Sequence, residues 1–549
     1  MKLAKTVLFF ILLLSPLATG QTLLTRAEAS HFTATSNYAE VLDFLNQLQQ
    51  KSQLMKLISI GQSTEGREII LAILGDPAPA SPAQLLAMDK PAIYIQANIH
   101  AGEVEGKEAM LMLMRDILTG ELRQLLKNQV LLIVPNFNPD GNEQIDQKNR
   151  RNQLGPEGGV GVRHNGQNLD LNRDFIKVES PENAAAFAEI LNRWDPMLLI
   201  DLHTTNGSYH QHPVTFATSH NPNCNQSLPH YVREKLLANV VAEMESRYDY
   251  SAVYYGNFED HRDPNRGWTT VDHEVFYSTN YWGLRNRFAI LDENYSYADY
   301  ETRVRACYRF IQLILEYTQK HGAEMRRMIQ QVDSETISRG LSPDTTAQFG
   351  LEFQTVQCEK PILIKSYEFE KYNDENGRER VKKTDRMKDY TIPFFGKFIK
   401  TKQIALPKGY FFSGNLHEVA AKLMQHGIAV ERLNQPLHAS VESFQISEIK
   451  PDERLYQGHR RTRLKGVYQM VEKDFPAGTF YVGMDQPLAD LVAYLLEPES
   501  DGGLVQWNFF DRYLMVSQWG NQLHPFPVFR LKGPMNFSRQ LWTSDGTGE

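Results

Sequence analysis

The sequence predicts an α/β fold, a mixed central sheet with helices on both faces, followed by a C-terminal part that is α+β or mostly β. Two observations carry this. Apolar runs of strand length alternate with helical patterns between about residues 38 and 331, the order in which covering helices connect the strands of a sheet. That alternation stops near Ser342, after which short β-like runs are mixed with one clear helix.

Taken in order, a helical pattern runs through Tyr38, Val41, Leu42, Phe44, Leu45 and Leu48, and GQSTEGREIILAIL then gives a turn over 61–66 and a strand over 68–74. The stretch PAIYIQANIHAGEVEGKEAMLMLM changes from a buried strand over 91–97 to an amphipathic helix in which Val104, Met110, Leu111 and Met114 sit among Glu105, Lys107 and Glu108. NQVLLIVP over 128–135 is a strand ending at the polar cluster of Asn136, Asn138, Pro139 and Asp140. The Gly/Asn/Arg-rich connection over 142–168 is too long for a mere linker and reads as a functional loop. A helix is predicted over 180–194 with Ser180 as cap and Pro181 in its first turn, then a strand over 197–202, a helix over 229–247, a strand over 288–291 and a long helix over 303–331. Beyond it, β-like runs occur at 361–364, 410–412, 479–482 and 513–516, a helix at 416–426, and a charge-rich solvated loop or hairpin at 370–389.

The 549 residues exceed one ordinary domain. The expected division is a signal peptide over 1–20, an α/β domain over 21–335 and a C-terminal domain of unassigned role over 342–549. With 58 Lys+Arg against 66 Asp+Glu the balance is mildly acidic, which argues against nucleic acid as a partner. Lys2 and Lys5 precede an apolar run over 7–14, and Ala18, Thr19 and Gly20 offer a cleavage site before Gln21. This is the pattern of a secretory signal, so the mature protein is expected to be secreted or periplasmic. The run is too short to span a bilayer, and no later segment reads as a membrane span. Cys224, Cys307 and Cys358 permit at most one disulfide, and nothing in the sequence sets the oligomeric state.

His100 and Glu103 fall at a strand-to-helix junction, and at a spacing of i, i+3 an imidazole and a carboxylate share a face and can grip one cation. His100, Asn136, Asn138, His203 and Glu293 all stand just past the C-terminal end of a predicted buried strand, the edge at which open α/β sheets bind ligands.

Taken together, HAGE at 100–103, DLNRDF at 170–175, DLH at 201–203 and ILDEN at 290–294 resemble the zinc metallocarboxypeptidases, peptidase family M14. GQSTEGR and VPNFNPDG look like further landmarks, and the resemblance covers about 38–317. It implies one Zn²⁺ per chain held by His100, Glu103 and His203, with a fourth position open for water. Glu293 matches the catalytic glutamate that accepts the water's proton. Its rival Asp292 points to the opposite face of an extended strand. Asn172 and Arg173 match the pair that holds a substrate's terminal carboxylate, and Asp170 the acid that orients a zinc-bound histidine. The arginine that stabilises the oxyanion falls at Arg150 or Arg151, of which Arg151 enters the expected substrate-binding set. The tyrosine that closes over substrate corresponds to Tyr277 or Tyr281.

Departures from the family pattern are plain. Ala101-Gly102 stands where the family often has an arginine between its His and Glu. The segment over 257–282, expected to line the pocket for the substrate's last side chain, mixes His261, Arg262, Arg266 and His273 with Glu259, Asp260 and Asp263. The expected activity is removal of the C-terminal residue from peptides with a free C-terminus. The alternatives are a zinc amidohydrolase or peptidoglycan peptidase on the same scaffold, and a non-catalytic binding protein that keeps the zinc site.

Overall fold

In the computed structural model of the protein, residues 23–342, 348–514 and 523–543 are described. The apolar runs become the strands β1 (Met55–Gln62), β2 (Glu68–Leu74), β3 (Ala92–Ala97), β4 (Val130–Val134), β5 (Leu198–Thr205), β6 (Val214–Ala217), β7 (Ala252–Tyr254) and β8 (Phe288–Tyr295). They form one sheet in the order β1-β2-β4-β3-β5-β8-β6-β7. β4, β3, β5 and β8 run parallel, while β1, β2 and β6 pair antiparallel, so the sheet is mixed. β3, β4 and β5 are buried at every position, which is why each reads as an unbroken apolar run: a strand covered on both faces has no solvent side to mark.

Alternate side chains divide between two apolar clusters, as the two-residue period of a strand requires. Ile93, Ile95, Ile200 and Leu202 face helices α1 (Tyr38–Lys51), α2 (Glu105–Thr119), α3 (Ala238–Tyr248) and α4 (Tyr300–Leu341). Tyr94, Leu132 and Leu199 join the opposite cluster, which also holds Trp282 and residues of two C-terminal helices, α5 (His417–Gln425) and α6 (Ala489–Leu496). The second face of the central sheet is therefore completed by the C-terminal part. α5 is tied to it by Tyr281 Oη to His426 Nδ1 at 2.8 Å, Arg285 Nη1 to the His426 carbonyl at 2.7 Å and Asn192 Nδ2 to the Gln425 carbonyl at 2.9 Å.

The C-terminal part carries a charged hairpin, β9 (Ile362–Asn373) with β10 (Glu379–Ile392), and a seven-stranded sheet whose longest members are β11 (Leu437–Pro451) and β12 (Thr462–Phe475). Several elements extend beyond their sequence signal. The long helix continues to Leu341 rather than ending near 331, and α6, β1, β6 and β7 carry no periodicity strong enough to be read. The run at 513–516 is not a strand where it is described, since Asp511–Tyr513 is a 3-10 turn and the last two residues lie outside the described ones. The expected signal segment over 1–20 also lies outside them. Among the described residues no helix is long and apolar enough to cross a membrane. All three cysteines are free.

Candidate metal centre and cleft

His100 is delivered just beyond β3, where the chain turns from strand into α2. Glu103 follows in the same turn, its N–H bonded to the His100 carbonyl at 2.9 Å. α2 lies close on β5, because a Cβ at Gly106 would stand 2.6 Å from that of Leu202. β5 brings His203, and β8 runs parallel beside it with Glu293 opposite His203 in register. Three strand ends of one sheet thus converge.

The donor atoms form a nearly equilateral triangle. His100 Nδ1 lies 3.2 Å from Glu103 Oε2, His203 Nδ1 lies 3.1 Å from the same oxygen, and the two Nδ1 atoms are 3.1 Å apart. Tetrahedral zinc with bonds of about 2.0–2.1 Å spaces its ligand atoms by about 3.3 Å, so the triangle fits that ion. The opposite ring nitrogens are already committed. His100 Nε2 donates to Asp170 Oδ1 and His203 Nε2 to Asp201 Oδ2, each at 2.9 Å. When Nε2 carries the ring's only proton, the state that binds a cation, each ring turns an Nδ1 lone pair toward the carboxylate. Three lone pairs meeting in a buried space repel one another, and a cation relieves that repulsion.

The surrounding charge keeps both acids ionised. Burial alone would raise Glu103 and Asp170. For Glu103 in the metal-free site, the charge of a protonated His100, together with Arg150, outweighs burial and holds the carboxyl well below its usual range. For Asp170, His100, Arg163 and Arg173 do the same. Arg150 Nη1 donates to Glu103 Oε1 at 2.9 Å, Oε2 faces the imidazoles while accepting the Thr204 N–H at 3.0 Å, and Arg163 Nε donates to Asp170 Oδ2 at 2.7 Å. Arg150 crosses directly over Gly102, where a Cβ would stand 2.6 Å from its Cδ. This accounts for the glycine in HAGE: an arginine from the loop occupies the space a side chain at 102 would need.

A cleft of about 240 Å³ opens beside the triangle, lined among others by His100, Glu103, Asn172, Arg173, His203 and Glu293. Burial pushes the Glu293 carboxyl up to about 8, with Glu103 adding to the rise against His203. Arg163 lowers it only in part, and the arginines nearest in sequence are engaged elsewhere. Arg285 bonds the His426 carbonyl, Arg287 pairs with Asp195 and Asp333, and Arg303 with Glu105. Asp292 faces away, bonded to Asn294 and Cys307. Arg173 lies flat on Tyr277, its Cζ 4.3 Å from the ring centroid, and donates from Nη1 to the Asn172 carbonyl at 2.9 Å. Asn172 Oδ1 accepts from the Ser278 N–H at 2.9 Å.

Four expectations change. Arg151 is exposed and lies outside the cleft lining, whereas Arg150 and Arg163 line it. Arg150 sits at φ +48°, so the two neighbours leave the turn in different directions and only one reaches inward. Tyr281 is buried against His426, which leaves Tyr277 in the cleft together with Tyr255, a residue the sequence did not single out. Asp201, quoted only as part of DLH, proves to be the partner of His203. Of the charged residues over 257–282, none lines the cleft. His261, Arg262 and Arg266 are exposed, and His273 is bound between Asp272 and Asp501. Arg163 and Tyr255 lie in loops, where no periodicity marks which side chain turns inward.

Residues 41–194 match the family model described as zinc carboxypeptidase, a span that includes His100, Glu103, Asp170, Asn172 and Arg173 and ends before His203 and Glu293. The matched span carries two of the three donors of the triangle, His100 and Glu103, while His203 lies beyond it. Over 154 residues it is 32% identical to mouse Carboxypeptidase Z, a match that takes in 27% of this chain and 22% of the length of that relative. Similarity to Carboxypeptidase 2 of Trichophyton equinum is lower, 22% over 496 residues, but covers 86% of this chain and 82% of the relative. Among solved structures, a metallo-carboxypeptidase from Burkholderia cenocepacia aligns with a TM-score of 0.36 at 19% identity, over 52% of this chain and 70% of that one.

Proposed function

We propose that this protein is a zinc metallocarboxypeptidase that hydrolyses the C-terminal bond of peptides bearing a free C-terminus. The observation that carries the reading is the grouping of three convergent lone-pair donors, an unneutralised carboxyl at Glu293 and the arginine Arg173 around one cleft. His100, Glu103 and His203 would hold the ion, with Asp170 and Asp201 fixing the two rings. When bound, zinc supplies Lewis-acid polarisation of the scissile carbonyl and acidifies water.

Glu293 takes the proton of the attacking water on its carboxylate and returns it to the leaving amine. Arg173 and Asn172 hold the terminal carboxylate, which fixes the register of the cut. Arg150 and Arg163 bring positive charge to the wall where the carbonyl oxygen turns anionic. The wall formed by Tyr255, Val271, Thr279, Asn280 and Leu291 is uncharged and favours a neutral final side chain. We also propose that residues 1–20 are a cleaved export signal and that the hydrolytic part, expected to end near residue 335, runs to the end of α4, with the C-terminal part from 342 completing the second face of its sheet.

A peptide mixture with free C-termini and its amidated counterpart, incubated with the zinc-loaded protein and read by mass spectrometry, tests this. Loss of single C-terminal residues from the free acids alone is expected. Equal cleavage of the amides, or internal cuts, would favour the amidohydrolase reading, and intact peptides a binding protein.

A further inference from the structure

β11 and β12 pair as far as Pro451 and Thr462, and the ten-residue connection between them reaches back to the DLNRDF segment. Its tip is a two-residue turn. Tyr456 and His459 exchange both backbone hydrogen bonds, at 2.8 and 3.0 Å, around Gln457 at φ +50° and Gly458 at φ +82°. Four of its side chains contact the N-terminal part. Tyr456 Oη accepts from Arg173 Nε at 3.0 Å, Gln457 Oε1 accepts from the Asp170 N–H at 2.9 Å, His459 Nε2 lies 2.9 Å from Glu179 Oε2, and Arg461 Nη1 donates to Glu274 Oε1 at 3.2 Å. Two of these partners, Asp170 and Glu179, flank Arg173 in sequence.

The consequence for Arg173 is steric and electronic. One face of its guanidinium lies on Tyr277, Nη1 is spent in part on the Asn172 carbonyl and Nε is spent on Tyr456. Nη2 has no protein partner among the described residues, so the fork's outer edge, Nη1 with Nη2, is what remains for a carboxylate. Tyr456 itself is absent from the cleft lining. Its ring is braced by Trp507, with centroids 6.2 Å apart, and by Phe276 at 6.1 Å.

We propose that Tyr456, at the tip of the β11–β12 connection, is a positioning residue that holds the Arg173 guanidinium edge-on to the cleft, so that the C-terminal part sets recognition of the substrate's free carboxylate. This rests on the carboxypeptidase reading above.

The test is Tyr456→Phe in the zinc-loaded full chain, assayed on an N-acyl dipeptide and its C-terminal amide. KM for the free acid should rise roughly tenfold with kcat within about twofold, the signature of lost binding shared by ground and transition states. In a Glu293→Gln background, the calorimetric Kd of the free acid should rise by a similar factor. In an Arg173→Ala background the Tyr456 change should add nothing, because its effect passes through Arg173. Should Tyr456→Phe fail to fold, Gln457→Gly keeps the left-handed backbone, removes the acceptor for Asp170 and should raise KM in the same sense. An unaltered KM and Kd in an enzyme that does prefer free acids would overturn the inference, as would an equal further loss without Arg173. A wild-type protein indifferent to amidation would overturn the carboxypeptidase reading, and this inference with it.

Discussion

Replacing Glu293 by Gln should move rate and stability in opposite directions. The exchange keeps the shape of the side chain and removes the base, so turnover of a free-acid dipeptide should fall by roughly 10²- to 10⁴-fold. His100, Glu103 and His203 are untouched, so zinc content by elemental analysis should remain at one ion per chain. Stability follows from burial. A carboxyl raised from 4.5 to about 8 binds its proton more tightly in the folded than in the unfolded protein. Between those values the folded state holds the extra proton, so the wild-type protein loses stability as pH rises through that window. At pH 7 the loss amounts to at most about 3 kcal/mol in chelator-treated protein. The amide that replaces the carboxyl never ionises. The metal-free variant should therefore gain on the wild type as pH rises from 5 to 7, read from paired urea-unfolding curves. A variant that lost activity through misfolding would lose stability too. Unchanged turnover, or a wild-type advantage that grows with pH, would refute the assignment of Glu293 as the buried base.

Asp170→Asn removes the anion that holds the His100 Nε2 proton and should weaken zinc affinity about 10- to 100-fold in a chelator competition; an unchanged affinity would detach Asp170 from the site. For His273, burial lowers proton affinity, but Asp272 and Asp501 outweigh it and raise the imidazole to about 9. Its contribution is complete below about pH 6.5 and is lost as pH rises through 9. With Asp272 half exposed, the wild type should lose about 2 kcal/mol relative to His273→Gln across that window, and a flat difference would mean that the imidazole carries no bridging charge.

The sheet was legible where burial is complete. Ala92–Ala97 and Val130–Val134 have no exposed face, so length and apolarity alone located them. β1 buries only two of its eight residues and carries a bulge at Ser59/Gly61, β6 and β7 have only four and three residues, and each fell below what periodicity can separate from loop. The metal triangle was readable through the HAGE and DLH motifs and the family they resemble, although His203 and Glu293 lie inside β5 and β8 rather than just past their ends. Arg150 was not separable from Arg151, since the choice depends on a left-handed residue inside a long loop. Tyr456 lay further out of reach: it is 283 residues from Arg173, and no local pattern encodes a contact made by a turn between two strands of another sheet.

The long helix α4 has 42 residues, about 63 Å of rod. Its first turns support the sheet through Arg303 and Glu105, while Arg339 near its far end pairs with Asp490 on α6. Because Tyr94 and Leu199 share their apolar cluster with Val419 and Leu491, neither part has a dry surface of its own to retreat behind. A cut after Leu341 would leave apolar β-sheet facing water, so neither part should stay folded once the other is removed.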